Sequence, residues 1–424
     1  MIQSLATVFS LLLGAAILIL GNSLLGIVLP IRMGVEHVSS ELTGLVMSAF
    51  YVGFILGTLT VQRVIHRVGH IRAFAALAAM TTAVLMIHAL QFDIWLWSAL
   101  RIATGFCMAG LYAIIESWLN VKSSNENRGQ ILSMYMVTSY AATFGGQFLV
   151  NTADVKGIQL FCVAALLTSL SLVPVVLTRV AGPEISSIHS MKLTDLYRAS
   201  PLGVVATCGA GLLSGAFYGL GAIYASDLGL SVFQVSLFMS VPIFGGLALQ
   251  YPIGRMSDRY DRRTVLMSVM VGALTASLVL SILSLNAAPL TALLVAAVFL
   301  GGFLATIYPI AVAQAFDYID RAQMVAASGG LLLVWAIGAT IGPFGASLVM
   351  GRMGPSGLFV YLAGVAFVLA GFTRYRMARR TAKPNDQQST FVPVQTTSAI
   401  GGALDPRTAP VPEFYYDDVD PGDR

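Results

Sequence analysis

The stretch Gly254-Arg255-Met256-Ser257-Asp258-Arg259-Tyr260-Asp261-Arg262-Arg263 is a short, strongly charged turn between two long apolar segments. A glycine lets two helices approach closely, a carboxylate can stabilise the N-terminus of a neighbouring helix, and arginines favour the cytoplasmic face of a membrane. The stretch therefore predicts a tight cytoplasmic loop between two membrane-spanning helices.

The composition of the whole chain indicates a membrane protein. Of its 424 residues, 57% are hydrophobic and only 10% are charged, whereas about 25% of the residues in a typical soluble domain are charged. The net charge of +4 comes from basic residues in short loops between apolar runs, and these do not form the continuous basic face that binds nucleic acid. We therefore expect a lipid bilayer, and no nucleic acid, around this chain.

The sequence carries no pattern of catalytic or metal-ligating residues. It has no H-E-x-x-H motif, no phosphate-binding G-x-x-x-x-G-K-S/T loop and no Ser/His/Asp constellation. Cys107, Cys162 and Cys208 lie inside apolar runs, without the spacing of a metal site. We expect neither an enzyme nor a bound metal or cofactor.

Twelve apolar segments predict an all-α integral membrane protein with twelve transmembrane helices. Each is about as long as the 20 residues that a helix needs to cross a bilayer core. The charge-free run 264–316 is too long for one helix, and Asn286-Ala287-Ala288-Pro289 divides it with a turn signal. The spans are residues 7–31, 41–62, 73–92, 94–118, 130–153, 157–178, 201–225, 231–254, 264–285, 289–316, 324–350 and 356–373.

Arginine and lysine in alternate loops predict the orientation of the spans. The loops on one side hold most of these residues, whereas the opposite loops hold only Arg32, Lys156 and Arg352. Basic loops remain on the cytoplasmic side, so both termini are expected there. The chain beyond Pro384 is polar and then acidic, and its composition predicts a disordered cytoplasmic tail.

The chain divides into two pseudo-symmetric six-helix halves. They are residues 1–178 and 201–373, joined by a cytoplasmic linker at 179–200 and followed by the tail at 374–424. The first-half loop 66–72 occupies the place that residues 258–264 occupy in the second half. Repeated six-helix units of this kind enclose a cavity near the middle of the membrane.

These features resemble the major facilitator superfamily, whose loop signature is roughly G-x-L-x-D-R-x-G-R-R. Within residues 254–263, Gly254, Asp258, Arg259, Arg262 and Arg263 fit this signature, whereas Asp261 stands at the position of the usual glycine. The loop Arg67-Val68-Gly69-His70-Ile71-Arg72 is similar to that of the YcaD-like bacterial members, although His66 and His70 replace the usual aspartate and arginine. The resemblance implies a monomeric secondary transporter in the bacterial inner membrane, working by alternating access.

Arg101 is the one charge that the sequence places deep inside a span. An ionised side chain at that depth costs at least about 2.5 to 3.5 kcal/mol, and the small residues Gly105, Ala109 and Gly110 that follow it resemble a family pattern in the fourth helix. Arg101 either binds the substrate or serves coupling, or it only fixes packing by bonding to carbonyls and buried hydroxyls. The expected substrate or coupling residues are Arg101, Asn22, Gln147, Tyr218, Tyr224, Tyr308 and Trp335.

A second group of residues is expected to form a cytoplasmic gate. Glu116 follows Arg101 by 15 residues, or about 22 Å of helix, so it should pair with basic gate residues and not with Arg101. In the family that the chain resembles, this loop lies beside the start of the fifth helix, so the resemblance implies that Asp258 caps or lies near the helix start around Gly129 to Leu132. Within this group, Glu116 would pair with Arg67, Arg72 or Arg128. Asp317 and Arg321 would be the partners of Arg259 and Arg262. The remaining members of the group are Gly69, Gly254, Asp258 and Arg263.

The predicted function is transport of a small organic molecule, and the resemblance to the family implies export. Apart from Glu116 near one end, no carboxylate occupies a predicted span, which favours a neutral or anionic substrate over an organic cation. One alternative is a proton-linked importer of a sugar or organic acid, with the proton as coupling ion. An alternative of another class is a membrane scaffold or sensor that signals through its acidic tail.

Overall fold

The computed structural model describes residues 2–124, 126–177, 191–379, 381, 383–384 and 387–408. Twelve long helices and one short helix account for most of this part of the chain. They are α1 (Ile2–Val35), α2 (Ser40–Val68), α3 (His70–Leu90), α4 (Ile94–Val121), α5 (Arg128–Phe148), α6 (Gln159–Val176), the short α7 (Leu193–Ala199), α8 (Pro201–Asp227), α9 (Val232–Arg259), α10 (Arg262–Leu285), α11 (Leu290–Phe316), α12 (Met324–Met353) and α13 (Gly357–Arg379).

The twelve long helices confirm the prediction of an all-α membrane protein with twelve spans. Eleven of those in the described ranges are long and apolar enough to cross a membrane by length and composition. The exception is α5, whose sequence SMYMVTSYAATFGGQ is rich in hydroxyl groups and glycine. The predicted break in the run 264–316 is also present, because Asn286 ends α10 and Pro289 precedes α11.

Side chains close to the helix ends specify where several helices begin. The carboxylate of Asp93 accepts a hydrogen bond from the Leu96 amide at 2.7 Å, and Asp261 caps α10 through the Arg263 amide at 3.0 Å. Such caps satisfy backbone N–H groups that have no partner inside the helix. The local sequence therefore sets the start of α4 and of α10.

The same helix contacts recur in the two halves. The pairs α1–α5, α1–α6, α2–α4, α3–α4 and α3–α6 correspond to α8–α12, α8–α13, α9–α11, α10–α11 and α10–α13. The predicted linker at 179–200 is described from residue 191 onward. There, the short helix α7 is followed by Ser200, which caps the N-terminus of α8. The repeat confirms two pseudo-symmetric six-helix halves.

Glycines allow the tightest helix contacts, and they too are repeated. A Cβ on Gly53 or Gly105 would lie 1.9 Å from a backbone carbonyl oxygen of the facing helix, in the α2–α4 contact. Gly245 and Gly301 show the same feature in the α9–α11 contact, at 1.9 and 2.2 Å. Small residues at such crossings let backbones touch in a membrane, where helix association depends on close packing.

The two halves meet most closely at the membrane surface opposite the basic loops, which we call the opposite side. There, the Asn151 side-chain amide donates to the Ser236 hydroxyl at 3.0 Å, and Gly44 lies directly against Ser347. Contacts α1–α8, α2–α12 and α5–α9 join the halves. On the side of the basic loops, here called the basic side, the ends of the helices surround the mouth of a cavity.

We expect Gly105→Ala to lower the melting temperature of the purified protein. The added Cβ would collide with a carbonyl oxygen of α2, and overpacking of this kind costs about 1 to 3 kcal/mol. Gly364→Ala is the matched control, because nothing lies within 4 Å of the Cβ position there. A Gly105→Ala protein that melts with the wild type would contradict the packing described for α2 and α4.

Candidate functional site

A cavity with two adjoining parts lies between the two halves. Its deeper part has a volume of about 180 Å³, and a part nearer the basic side has about 340 Å³. The two parts adjoin each other, because both are lined by Asn22, Tyr51, Tyr112 and Tyr218. The first three residues belong to the first half and Tyr218 to the second, so the cavity lies on the axis between the halves.

Arg101 extends from α4 into the deeper part of the cavity. Only 5% of the residue is exposed, and its guanidinium carbon lies 4.5 Å above the centre of the Phe50 ring. Its Nε is buried without a hydrogen-bond partner, and no hydrogen bond or salt bridge joins the guanidinium to a described residue. The expectation of a buried charge at this position is met, whereas the alternative of carbonyl or hydroxyl partners for Arg101 is not seen.

Asn22 and Gln147 line the same deep part of the cavity. The Gln147 amide donates to the Ser23 hydroxyl at 2.7 Å, and that hydroxyl donates to the Thr143 carbonyl at 2.7 Å. This chain orients the amide group, but the Gln147 Oε1 is left buried without a partner. A ligand with a donor group could satisfy that oxygen.

Aromatic rings line the wider part of the cavity. Trp335 stacks edge-on against Tyr51, with centroids 5.8 Å apart, and against Tyr308 at 6.4 Å. The structure thus brings the predicted residues Tyr218, Tyr308 and Trp335 to one place. The sequence analysis missed Tyr51 and Tyr112. Tyr112 follows Arg101 by 11 residues, which is three helical turns, so helical periodicity could have identified it.

Tyr224 does not lie in the cavity. Its side chain is fully buried, its hydroxyl bonds to Ser284 at 2.5 Å, and its ring packs edge-on against Phe359. The prediction of a substrate role for Tyr224 is therefore not supported by its position. Because Tyr218 precedes it by six residues, the two side chains lie on different faces of α8.

At the basic side, Arg262 and Asp317 form a buried ion pair. An Arg262 Nη1 to Asp317 Oδ2 distance of 2.6 Å joins the start of α10 to the end of α11, and the same arginine donates to the Ala313 carbonyl at 3.0 Å. Both side chains are almost inaccessible. The predicted partnership of Arg262 with the region after α11 agrees with this contact, although it lies within one half and does not cross between the halves.

Asp258 is not the cap of α5 in this conformation. Its carboxylate accepts a hydrogen bond from the Phe391 amide at 2.6 Å and lies 3.7 Å from Arg262. The N-cap residue of α5, Asn127, makes no side-chain capping bond. The predicted cap is therefore wrong for this conformation, because the C-terminal segment binds the carboxylate instead.

The other predicted gate residues surround the same mouth. Gly69 ends α2 with a φ of 83°, a value that favours glycine. Arg128 is buried, and the carboxylate of Asp405 attracts it. Arg263 pairs with Asp261 at 2.9 Å. Gly254 packs against Phe391, and the exposed members are Arg67, Arg72, Arg259 and Arg321.

Glu116 is completely buried near the basic end of α4. The Tyr135 hydroxyl donates to it at 3.0 Å, and the hydroxyls of Thr397 and Ser398 also donate to its carboxylate. Among the described residues it forms no salt bridge with the three candidate arginines. Pairing with an arginine was expected for a closed basic side, so it remains a prediction for that state.

Part of the tail that the sequence analysis expected to be disordered is packed into this mouth. Residues 387–408 are described, and they include a 3-10 helix at Ala399–Leu404 that contacts α4, α5 and α12. Ile400 and Leu404 are buried. The expectation is therefore wrong for this stretch, because partners on other helices compensate for the entropy of ordering it; the acidic end after residue 408 lies outside the described residues.

A larger groove of about 710 Å³ lies on the outside of α8, α12 and α13. Its lining is almost entirely aliphatic, including Val204, Leu212, Val334 and Val368. We assign it to the lipid-facing surface, because it lacks the convergent polar groups of a ligand site. The central cavity, with its buried polar groups, is the candidate functional site.

Comparison with known proteins agrees with this architecture. The family model of the Major Facilitator Superfamily matches residues 11–193 and 202–410. The MFS-type transporter YcaD of Escherichia coli O6:K15:H31 (strain 536 / UPEC) is 30% identical over 380 residues, which are 89% of this chain and 97% of that protein. YcaD of Escherichia coli strain K12 / DH10B matches with the same identity and coverage.

Two solved structures share the fold. The nucleoside transporter NupG superposes with a TM-score of 0.72 at 13% identity, covering 87% of this chain and 98% of that one. A bacterial homologue of the human lysosomal transporter Spinster, in an inward-facing and unoccupied conformation, gives a TM-score of 0.67 at 13% identity, covering 96% and 99%. The predicted resemblance is confirmed by the family match and by YcaD: this chain belongs to the major facilitator superfamily.

Proposed function

We propose that the protein is a secondary active transporter that exports a small organic molecule across the bacterial inner membrane. The observation that carries the proposal is the cavity between two six-helix halves, whose deeper part holds Arg101 without a hydrogen bond or salt bridge to any described residue. Rocking of the two halves about such a site would expose it alternately to each side of the membrane.

The proposed orientation places the basic side in the cytoplasm. Arginines and lysines concentrate in the loops on this side, and such loops remain cytoplasmic in membrane proteins. Both termini then lie in the cytoplasm. Because the halves are packed together on the opposite side, the conformation described corresponds to an inward-facing state whose mouth holds residues 387–408.

The charges in the cavity support an anionic or neutral substrate. The lining of the deep part contains Arg101, and neither part is lined by an Asp or Glu of the described chain. The guanidinium offers N–H donors that have no acceptor, so a carboxylate or other acidic group would remove the penalty of an unpaired buried charge. The rings of Tyr51, Tyr308 and Trp335 would contact the apolar part of such a molecule.

The membrane potential supports export as the direction for an anion. Moving one negative charge outward from a cytoplasm that is negative by 100 mV releases about 2.3 kcal/mol. For an anionic substrate, this energy would assist export whichever ion is coupled to it. For a neutral substrate, a coupled gradient, such as that of protons, would have to supply the energy.

We expect Arg101→Gln to weaken substrate binding roughly 10- to 100-fold while the protein remains folded. A thermal-shift screen with organic anions, neutral molecules and cations would identify the ligand, since binding at about 100 times the dissociation constant adds about 2.7 kcal/mol of stability. Losing a charge-assisted hydrogen bond costs about 1.5 to 3 kcal/mol, or roughly a 10- to 100-fold change in affinity.

Arg198→Gln is the control for this substitution, because Arg198 is exposed on α7, outside the cavity. Arg101→Lys should also be impaired, since lysine lacks the planar fork of the guanidinium. If Arg101→Gln protein in liposomes exported the ligand at the wild-type rate, the assignment of Arg101 to the substrate would be wrong.

A disulfide between Asn151→Cys and Ser236→Cys should lock the inward-facing state. These side chains touch across the two halves at 3.0 Å on the opposite side, and alternating access requires them to separate. In a background without the free cysteines Cys107, Cys162 and Cys208, oxidation should reduce transport at least about tenfold, and a reductant should restore it.

Each single-cysteine variant, oxidised in the same way, serves as the control for that experiment. Fully cross-linked protein that still transports at the rate of the reduced protein would rule out separation of the halves at this contact.

A further inference from the structure

We propose that residues 387–408, here called the plug, occupy a peptide-binding site at the mouth of the cavity, and that the bound plug inhibits transport until it leaves. The plug contacts both halves and the cavity itself. Its docking can be tested without a substrate. Inhibition rests on the proposed transport function.

The first contact region lies on the second half. The Ser389 amide and hydroxyl donate to Asp317 Oδ1 at 2.9 and 3.0 Å, and the Phe391 amide donates to Asp258 at 2.6 Å. The Phe391 ring covers Gly254, where a Cβ would lie 2.4 Å from the ring. The plug thus binds one carboxylate of the charged loop, Asp258, and the carboxylate of Asp317 after α11, and its Phe391 ring packs against the glycine of that loop.

The second contact region lies on the first half, where Thr397 and Ser398 donate hydrogen bonds to Glu116. Gly401 lies against the same carboxylate, since a Cβ there would be 2.9 Å from Glu116 Oε2. Further along, the buried Asp405 forms an ion pair with Arg407 of the plug at 2.5 Å, and its charge also acts on Arg128 at the start of α5. The plug therefore supplies partners to a carboxylate that burial would otherwise penalise.

The 3-10 helix Ala399–Leu404 then returns to the second half. Gly402 lies so close to Ser328 of α12 that a Cβ would be 2.4 Å from the serine hydroxyl. Ile400 and Leu404 are buried there. The helices α4 and α12 belong to different halves. The 3-10 helix therefore lies between the two halves at the basic side and holds them apart.

The middle of the plug lines the end of the cavity that is nearer the basic side. Residues 394–397 line its wider part together with Tyr308 and Trp335. A molecule that enters from the basic side and moves toward Arg101 must pass these residues. The docked plug consequently blocks access and keeps the halves apart.

Inhibition follows from competition for the same groups. Glu116, Asp258 and Asp317 bind the plug, and the sequence analysis expects Glu116 and Asp258 to hold the basic side closed. Glu116 and Asp258 cannot bind the plug and the groups that close the basic side at the same time. Because the plug is tethered to α13, its effective concentration is about millimolar, so weak individual contacts suffice to keep it bound.

The first test measures access to the cavity in the full-length chain. Ser139→Cys, on the cavity lining, would be labelled with a membrane-permeant maleimide in a background lacking the native cysteines. Two plug substitutions should speed labelling at least about tenfold: Gly402→Leu, which collides with Ser328, and Ser398→Asp, which brings a carboxylate to Glu116. Thr390→Ala, at an exposed position of the plug, should not change the rate.

The transport rates of the same plug variants would then be compared, with the native Ser139 in place of the labelling cysteine. A chain that ends at Lys383 would be measured with them. All three should transport several-fold faster than the wild type and Thr390→Ala. Unchanged labelling in Gly402→Leu and Ser398→Asp would overturn the docking. Faster labelling with equal or slower transport would overturn the inhibition. If no variant transported any compound while labelling still accelerated, the docking would stand and the proposed transport function would fail.

The second test fixes the plug covalently. The Cβ position of Gly254 lies 3.2 Å from Phe391 Cγ, and replacing Phe391 removes the ring that a side chain at position 254 would meet. We expect the pair Gly254→Cys and Phe391→Cys to form a disulfide readily, which mass spectrometry would detect. Its formation should stop transport, and reduction should restore it to the level before oxidation.

Gly254→Cys with Ser398→Cys is the register control, because Ser398 binds across the mouth at Glu116. A plug that sampled many positions would cross-link both pairs equally, and this result would contradict a defined site. Efficient cross-linking of the first pair without loss of transport would refute inhibition by the bound plug.

Discussion

Charged groups inside a membrane protein must find partners, and this requirement shapes both ends of the cavity. At the mouth, Glu116 and Asp317 obtain donors from residues 387–408. At the deep end, the Arg101 guanidinium lies over the Phe50 ring, and no hydrogen bond or salt bridge joins it to a described residue. An unpaired charge at this depth costs at least about 2.5 to 3.5 kcal/mol, so an acceptor that enters the deep site gains this energy. The chain thus supplies partners for the carboxylates at the mouth of its cavity. In the proposed function, a ligand supplies the partner for Arg101 at the deep end.

The packing within each half determines how the cavity can open and close. The glycine contacts of α2 with α4 and of α9 with α11 bring backbones together, so each half is expected to move as one body. The halves touch through α1–α8, α2–α12 and α5–α9. Tyr140 of α5 also donates to Gln250 of α9 at 3.3 Å. These contacts can act as the pivot, while the plug fills the space that closure would remove.

Much of the fold could be predicted from the sequence because bilayer thickness and helix geometry leave few choices. Apolar length set the twelve spans, and the turn at residues 286–289 divided the longest run. The burial of Arg101 followed from its place in a span. The exclusion of Tyr224 could also have been derived, since a helix that directs Tyr218 into the cavity turns Tyr224 away from it.

The plug could not be predicted in this way. Its composition is polar, with prolines and hydroxyl residues, and nothing in the segment alone can bury a core. The contacts that order it come from residues far away in the chain, such as Glu116 and Asp258. For the same reason, the sequence suggested the acidic groups of the gate without revealing that a segment of the same chain would bind them.

The most direct test of this account is the distance between the two halves at the mouth. Spin labels at Lys122, after α4, and Asp320, after α11, would report it by pulsed electron paramagnetic resonance in liposomes, for the full chain and for a chain ending at Lys383. The account predicts that the full chain keeps one long separation, and that removing the plug adds a shorter, closed population. Identical distance distributions for the two chains would contradict it.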